Sequence, residues 1–220
     1  MKYPKDKTIR LSESYAEKGD PNGWFEEFYL GAEGNIKNVY WADLAPNPVL
    51  IAWLEKQTTP PGTRAVTVGC GLGDDAELLA KDGYIVTAFD ISPTAIEMCK
   101  KRYPESKVNY LVGNLFNPPS AWVRGFDLVY ECNTTQILAE PQRSQSVKAI
   151  AELTAPGGLL LVSCRSRAVG DDSSTFPIAM DRNEMDGYCR AGLIESYFEA
   201  YDDHQNPPVP HFFAVYTRPS

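Results

Sequence analysis

The run Val66-Thr67-Val68-Gly69-Cys70-Gly71-Leu72-Gly73-Asp74-Asp75 joins a β-branched segment to a helix-forming one through three closely spaced glycines. Glycine tolerates positive φ and lets backbone approach a ligand closely, so a strand–glycine–helix junction marks the crevice at the carboxyl end of a strand in an open α/β sheet. Asp74 is expected to cap the helix that runs from Asp75 to Lys81.

Downstream, Tyr84 to Phe89 reads as a second strand and ends at Asp90. A carboxylate there, 19 residues beyond Gly71, is placed to accept the hydroxyl protons of a ribose. Ser92-Pro93 then supplies an N-cap and a first-turn proline, with Ile96 and Cys99 on one helical face. Val108 to Val112, Phe126 to Tyr130 and the apolar Leu159 to Ser163 read as further strands. Between the last two lies a helix over Ser144 to Leu153, with Val147, Ile150 and Ala151 inward and Pro156-Gly157-Gly158 as its stop. Strands that read as continuous apolar runs and alternate with short helices predict a parallel sheet covered on both faces.

The tail breaks this rhythm. Asp181-Arg182-Asn183-Glu184 has capping-box spacing, Met185, Tyr188 and Cys189 follow on one face, and Gly192 closes the helix. Ile194 to Tyr201 and Phe212 to Tyr216 are two strands joined by the proline-rich turn Asp202 to Pro210, which predicts an antiparallel pair at the sheet edge. Upstream, Thr58-Thr59-Pro60-Pro61-Gly62 is a breaker, and Pro48 to Lys56 presents Val49, Leu50, Trp53 and Leu54 at helical spacing. Residues 1–47 differ from the rest: they are rich in Gly, Asn and aromatics, and only weakly periodic.

Composition limits the functional classes. The 220 residues carry 21 Lys+Arg against 29 Asp+Glu, a formal net charge of -8, the opposite sign from most proteins that bind the phosphates of nucleic acid. The densest cationic stretch, Met1 to Arg10, reads as a solvated tail. The chain has no apolar run of the ~20 residues a membrane span requires, and its start lacks the apolar segment of a secretory signal. Five cysteines without a CxxC pair argue against a disulfide framework or a zinc ribbon, and two histidines against a His-rich metal site. The expectations are a cytoplasmic chain, no metal, no nucleic acid and no membrane.

The glycine loop departs from the G-x-G-x-x-G dinucleotide fingerprint, because Asp74 stands where the third glycine would be. Negative charge at the helix start opposes a pyrophosphate. It suits a phosphate-free ligand with a cationic amino-acid tail, which favours S-adenosylmethionine over NAD. A nicotinamide-dependent oxidoreductase and a non-catalytic nucleotide-binding module are the alternatives.

Gly69-Cys70-Gly71-Leu72-Gly73, Asp90-Ile91-Ser92, Phe126-Asp127-Leu128-Val129-Tyr130 and Pro156-Gly157-Gly158 together resemble the successive motifs of class I S-adenosylmethionine-dependent methyltransferases, over roughly residues 48 to 220. Gly23-Trp24-Phe25-Glu26-Glu27-Phe28-Tyr29 and Trp41-Ala42-Asp43-Leu44-Ala45-Pro46-Asn47-Pro48 resemble the N-terminal segment of the thiopurine S-methyltransferase-like branch, a shorter and less specific likeness. The resemblance implies a Rossmann-like doubly wound α/β sheet of seven strands, mostly parallel, with a reversed C-terminal hairpin. It also implies one methyltransferase domain over 1–220, with residues 1–47 as an N-terminal lid and 48–220 as the cofactor-binding core.

Carried over by position, the resemblance sets Gly69, Cys70 and Gly71 along the methionine part of the cofactor. Asp90 would hold the ribose, Ile91 would lie against the adenine, and Asn114 and Leu115 would sit at the adenine edge. Glu131 and Cys132 would lie near the methyl group, and Trp24 and Trp41 would close over the cofactor. Two positions depart from the pattern: Thr67 replaces an acidic residue common before the first glycine, with Asp74 or Asp75 as substitutes for contact with the amino group, and Asn114 replaces an aspartate. Tyr29, Asn133 and Arg165 are candidates to contact a small-molecule methyl acceptor.

Several features have plainer readings. The lid aromatics serve equally as a hydrophobic staple or as an apolar pocket with π faces for a sulfonium. Asn117-Pro118-Pro119-Ser120 resembles the adenine-methylating signature, but it precedes the fourth strand and ends in Ser rather than an aromatic. Arg165 is either an anchor for a substrate carboxylate or, like Arg167, surface charge or a salt bridge to the lid; His204 reads as a surface histidine, and His211 reads as a surface histidine with the pocket as its alternative. No general base stands out, which leans toward a thiol or another soft acceptor, whose thiolate is accessible near neutral pH.

Overall fold

The computed structural model describes residues 4–171 and 176–220. In chain order the elements are α1 (Lys5–Glu17), α2 (Gly23–Leu30), α3 (Pro48–Leu54), β1 (Arg64–Val68), α4 (Asp74–Lys81), β2 (Ile85–Asp90), α5 (Pro93–Arg102) and β3 (Asn109–Val112). They continue with β4 (Phe126–Cys132), α6 (Gln142–Ala151), β5 (Thr154–Arg165), α7 (Arg182–Arg190), β6 (Ile194–Asp202) and β7 (Pro210–Thr217). The strands form one seven-stranded sheet in the order β3-β2-β1-β4-β5-β7-β6. The pairs β2–β3, β1–β4 and β4–β5 are parallel, while β5–β7 and β6–β7 are antiparallel. This is the expected α/β architecture with its reversed terminal hairpin.

Contacts group the chain into two compact units, residues 1–59 with 69–114, and residues 60–68 with 115–220. In the first unit, α5 starts as the sequence predicts: Ser92 Oγ accepts the Ala95 N–H at 3.0 Å and Pro93 occupies the first turn. Ala95, Ile96, Met98 and Cys99 are buried along its inner face. The α4 boundary differs from expectation. Its N-cap is Gly73, at φ +87°, and Asp74 is the first helical residue. A side chain at position 73 would place its Cβ 2.5 Å from the Tyr110 hydroxyl, so glycine is required there both by conformation and by space.

The N-terminal segment is more regular than its sequence suggests. Part of the expected tail folds as α1. Helix α2 is only eight residues long, too short for periodicity to stand out, yet Trp24, Phe25, Phe28 and Tyr29 all lie buried on it. Fully burying one such ring removes it from water at a gain of about 1.5–3 kcal/mol.

In the second unit, Val66↔Val129 sets the β1–β4 register and Leu160↔Val129 the β4–β5 register. Strand β5 starts earlier than expected, at Thr154. Its register against β4 jumps from Phe126↔Thr154 to Leu128↔Leu159, so Pro156-Gly157-Gly158 is accommodated as a bulge inside the strand rather than as a helix stop. The Asp181 capping box forms as predicted and starts α7, which buries Met185 and Tyr188. Cys189, expected on the same face, is exposed. Arg143 ties α6 to the approach to α7: its guanidinium donates to Glu184 Oε1, to the carbonyls of Ile178 and Ala179, and to Met180 Sδ. Among the described residues no helix is long and apolar enough to cross a membrane.

Candidate active site

The glycine junction and the end of β2 meet within the first unit. Cys70 N–H donates to the Phe89 carbonyl at 2.9 Å, and Gly71 N–H donates to Asp90 Oδ2 at 3.0 Å. Ser92 N–H donates to Asp90 Oδ1 at 3.0 Å. Asp90 is buried, and burial pushes its carboxyl up to about 6 despite the opposing hydrogen bonds from the Ser92, Gly71 and Ile91 backbone; the Glu26 carboxylate adds to the rise. A carboxylate has about four lone pairs, so capacity remains for a hydroxyl donor.

Gly71 itself sits at φ +53°, and the nearest atom a Cβ there would meet is the Tyr29 hydroxyl at 3.4 Å. Tyr29 is buried, and its phenol is pushed well up by burial and by the Asp90 charge. Trp41 Nε1–H donates to its oxygen at 3.4 Å. Trp41 stacks on Phe28 at 3.7 Å between centroids, and Trp24 stacks on Phe25 at 3.9 Å and meets Trp41 edge-on at 6.2 Å. The aromatics of residues 24–41 therefore form one cluster whose Tyr29 reaches the glycine loop. Ile91 is half-buried beside Asp90. Asn114 is exposed, next to Gly113, whose N–H donates to the Asp90 carbonyl at 2.9 Å.

Of the two substitutes considered for contact with the amino group, the structure removes Asp74. Asp74 is not free to contact an amino group: Arg102 holds it with Nη1–Oδ2 at 2.5 Å and Nη2–Oδ1 at 2.6 Å, and Tyr103 O–H donates to Oδ1 at 3.1 Å. Asp75 Oδ1 accepts the Asn47 N–H at 2.7 Å. Of the three carboxylates in the first turn of α4, Asp74 is paired with a cation, while Asp75 and Glu77 accept hydrogen bonds from neutral donors, so the charge argument against a pyrophosphate is weakened at Asp74.

The second unit carries the rest. Glu131, next to the end of β4, accepts N–H groups from Thr134 at 2.7 Å and Thr135 at 2.9 Å through Oε1, while Oε2 is buried with no partner among the described residues. Burial pushes its carboxyl up to about 7, against the hydrogen bonds and the Arg143 charge. Asn133 adopts φ +61°, a conformation asparagine tolerates better than most residues. Its N–H donates to the Ser163 carbonyl, and its Oδ1 is buried with no partner among the described residues. Buried orphan acceptors are rare in folded proteins, and two lie at the carboxyl end of β4. Leu115 is buried and lines a groove of about 320 Å³ with Phe116, Val123, Lys148 and Glu152, which contains none of the other predicted site residues.

Arg165 and Arg167 have different roles. Arg167 pairs with Asp181 and with Glu184, both at 2.9 Å. The Arg165 side chain has no such partner among the described residues. His211, read from sequence as a surface residue, is half-buried and pairs across the sheet with Arg165. The pocket-facing alternative for His211 is the less favoured reading from sequence, because the strand register that places it opposite Arg165 is not visible in the chain itself.

Residues 65–158 match the family described as methyltransferase domain. The ubiquinone biosynthesis O-methyltransferase of Coxiella burnetii is 32% identical over 123 residues, 55% of this chain and 51% of that protein. The cypemycin N-terminal methyltransferase of a Streptomyces species is 29% identical over 147 residues, 63% of this chain and 59% of that one. The chain thus spans little more than half the length of these relatives. The structure of the N-methyltransferase NodS from Bradyrhizobium japonicum, in complex with S-adenosyl-L-homocysteine, superposes with a TM-score of 0.68 at 17% identity, covering 89% of this chain and 98% of that one. The last likeness shows the fold, and the family match lies on the same segments as the class I methyltransferase motifs.

Proposed function

We propose that this chain is an S-adenosylmethionine-dependent methyltransferase acting on a small molecule, organised as one domain with residues 1–47 as its lid. The observation that carries the reading is the buried Asp90 carboxylate, hydrogen-bonded to Gly71 at the first strand–helix turn of the segment that matches the methyltransferase-domain family. The residues suit the cofactor: Asp90 would hold the ribose, Gly69 to Gly71 would let the backbone approach the methionine part, Ile91 and Asn114 would flank the adenine, and Tyr29, Trp24 and Trp41 would supply aromatic faces. Glu131, Cys132 and Asn133 would face the reacting end. The bound cofactor supplies a methyl group already activated on a sulfonium. The protein's task is then to align the acceptor, exclude water and, where needed, take up a proton.

The lean toward a thiol or other soft acceptor, shared with the thiopurine-like segment at residues 23–48, fits a site without a base. The position of His211 favours a second reading, in which the acceptor is an oxygen or nitrogen that must lose a proton. The named relatives include an O-methyltransferase and an N-terminal methyltransferase, which supports keeping both.

A thermal-shift series tests the class. S-adenosylhomocysteine is expected to raise the melting temperature and NAD is not, because only a ligand that binds the folded state stabilises it. Stabilisation by NAD alone would favour the oxidoreductase alternative.

A further inference from the structure

One face of the sheet, at the carboxyl end of β4 and β5, continues from Cys132, proposed above for the reacting end, into polar side chains that have no role in holding the cofactor. Cys132 pairs with Ser163 across β4–β5, and Ser163 and Arg165 pair with Phe213 and His211 across β5–β7. His211 in turn pairs with Tyr201 on β6. Directly opposed residues of neighbouring strands project to the same face, so Cys132, Ser163, Arg165, His211 and Tyr201 share one surface. The contacts agree: the Tyr201 ring stacks on His211 at 5.5 Å, and Ser163 hydrogen-bonds the Tyr201 phenol.

The histidine's tautomer follows from its partner. His211 Nδ1 lies 2.8 Å from the Val209 carbonyl, which can only accept, so Nδ1 carries the hydrogen. Asp203 Oδ2 stands behind the same nitrogen at 3.9 Å. In the neutral ring Nε2 is therefore the basic atom, and it has no hydrogen-bond partner among the described residues. A ring oriented through one nitrogen, with the other left open, has the geometry of a general base. The charged and titratable groups around it are Asp203 in the turn, Tyr201 on β6, Arg165 on β5 and Cys132 on β4. Arg165, with no carboxylate partner among the described residues, offers a two-pronged donor for an anion.

We propose that this face is the acceptor subsite, that His211 Nε2 is the proton acceptor, and that the substrates are small hydroxyl compounds bearing a carboxylate held by Arg165. The acceptor's O–H bond breaks, the proton passes to Nε2 to give the imidazolium, and the electron pair stays on the oxygen as the nucleophile. The positive charge of Arg165 selects against an ammonium acceptor and for an acid. This inference rests on the methyltransferase reading and names its acceptor class.

The test uses the full chain saturated with S-adenosylhomocysteine, with 4-hydroxybenzoate and 4-hydroxybenzamide as matched probes. Calorimetry gives their affinities, and ¹⁵N NMR follows the His211 ring. The carboxylate is expected to bind at least tenfold more tightly than the amide; Arg165→Met abolishes the difference and Arg165→Lys keeps part of it. The Nε2 resonance is expected to move on binding while Nδ1 stays put. Equal affinities, an unresponsive Nε2 or no binding of either probe would overturn the subsite. Failure to bind S-adenosylhomocysteine at all would instead overturn the methyltransferase reading beneath it.

Discussion

Asp74 and Arg102 form a two-pronged ion pair, 2.5 and 2.6 Å, with side chains only 15% and 17% exposed. The pair fastens the start of α4 to the end of α5. Arg102 Nη1 also donates to the Leu72 carbonyl at 3.2 Å. Because the carboxylate is occupied, Asp74→Asn should change S-adenosylhomocysteine affinity by less than about threefold, under ~0.7 kcal/mol. It should lower stability by about 1–3 kcal/mol, the scale of a charge-assisted hydrogen bond lost in a partly buried site. Calorimetry and urea denaturation measure the two effects; a tenfold loss of affinity would return Asp74 to the cofactor.

Asp90 should behave in the opposite way. Asp90→Ala is expected to weaken S-adenosylhomocysteine binding by more than about tenfold, on the scale of hydrogen bonds to a charged group. The pH dependence has a definite sign. A ribose hydroxyl donates best to the ionised carboxylate, so affinity should fall as pH drops through about 6, where burial places this group. Isothermal titration between pH 5 and 8 gives the profile, and an affinity flat across that range would contradict the assignment.

Glu131 offers a test of burial without a ligand. Its carboxyl is raised to about 7, so the folded protein holds a proton between the ordinary glutamate range and neutrality that the unfolded chain has lost. Stability therefore falls as pH rises through that window. Glu131→Gln keeps an acceptor for Thr134 and Thr135 and removes the titration. The variant's stability should be less dependent on pH between about 5 and 7 than that of the parent, by an amount read from paired urea curves. Parallel curves for the two proteins would rule out an ionisable Glu131 in the fold.

Glu26 is the link between α2 and the start of α5. Its carboxylate accepts Ser92 Oγ–H at 2.5 Å, Thr94 N–H at 3.1 Å and Thr94 Oγ1–H at 2.6 Å. Burial opposes ionisation, yet the Ser92 and Thr94 hydrogen bonds outweigh it and hold the carboxyl below its ordinary value. Its contribution is thus present above the ordinary glutamate range and is lost as pH falls through the lower folded value. Glu26→Ala should cost about 1–3 kcal/mol, a melting-temperature loss of roughly 2–4 °C per kcal/mol for a chain of this size. Scanning calorimetry at pH 7 measures it, and an unchanged transition would mean that the aromatic cluster alone holds α2.

The parts legible in the sequence were those set by local chemistry. Ser92-Pro93 and the Asp181–Glu184 box announce helix starts, and the apolar run from Leu159 announces a buried strand. The terminal hairpin followed from two strand signals around a proline-rich turn. Other features depended on partners distant in the chain. Nothing near Asp74 shows that Arg102 will neutralise it, nothing near Glu131 shows that Oε2 will be buried alone, and nothing near Pro156 shows that the strand passes through it as a bulge. His211 reads as a surface rather than a pocket residue for the same reason. Its environment comes from β5 and β6, and only the register Arg165↔His211↔Tyr201 reveals it.

That register also bears on how the scaffold could be diversified. The turn between Asp202 and Pro210 links the outermost strand β6 to β7, with only Asp203 and Val209 bracing the imidazole from within it. Residues can be inserted or exchanged along its exposed tip without disturbing strand pairing. If the proposed acceptor subsite holds, libraries confined to this tip, and not to the buried strand β7 beside it, would alter which compounds are accepted.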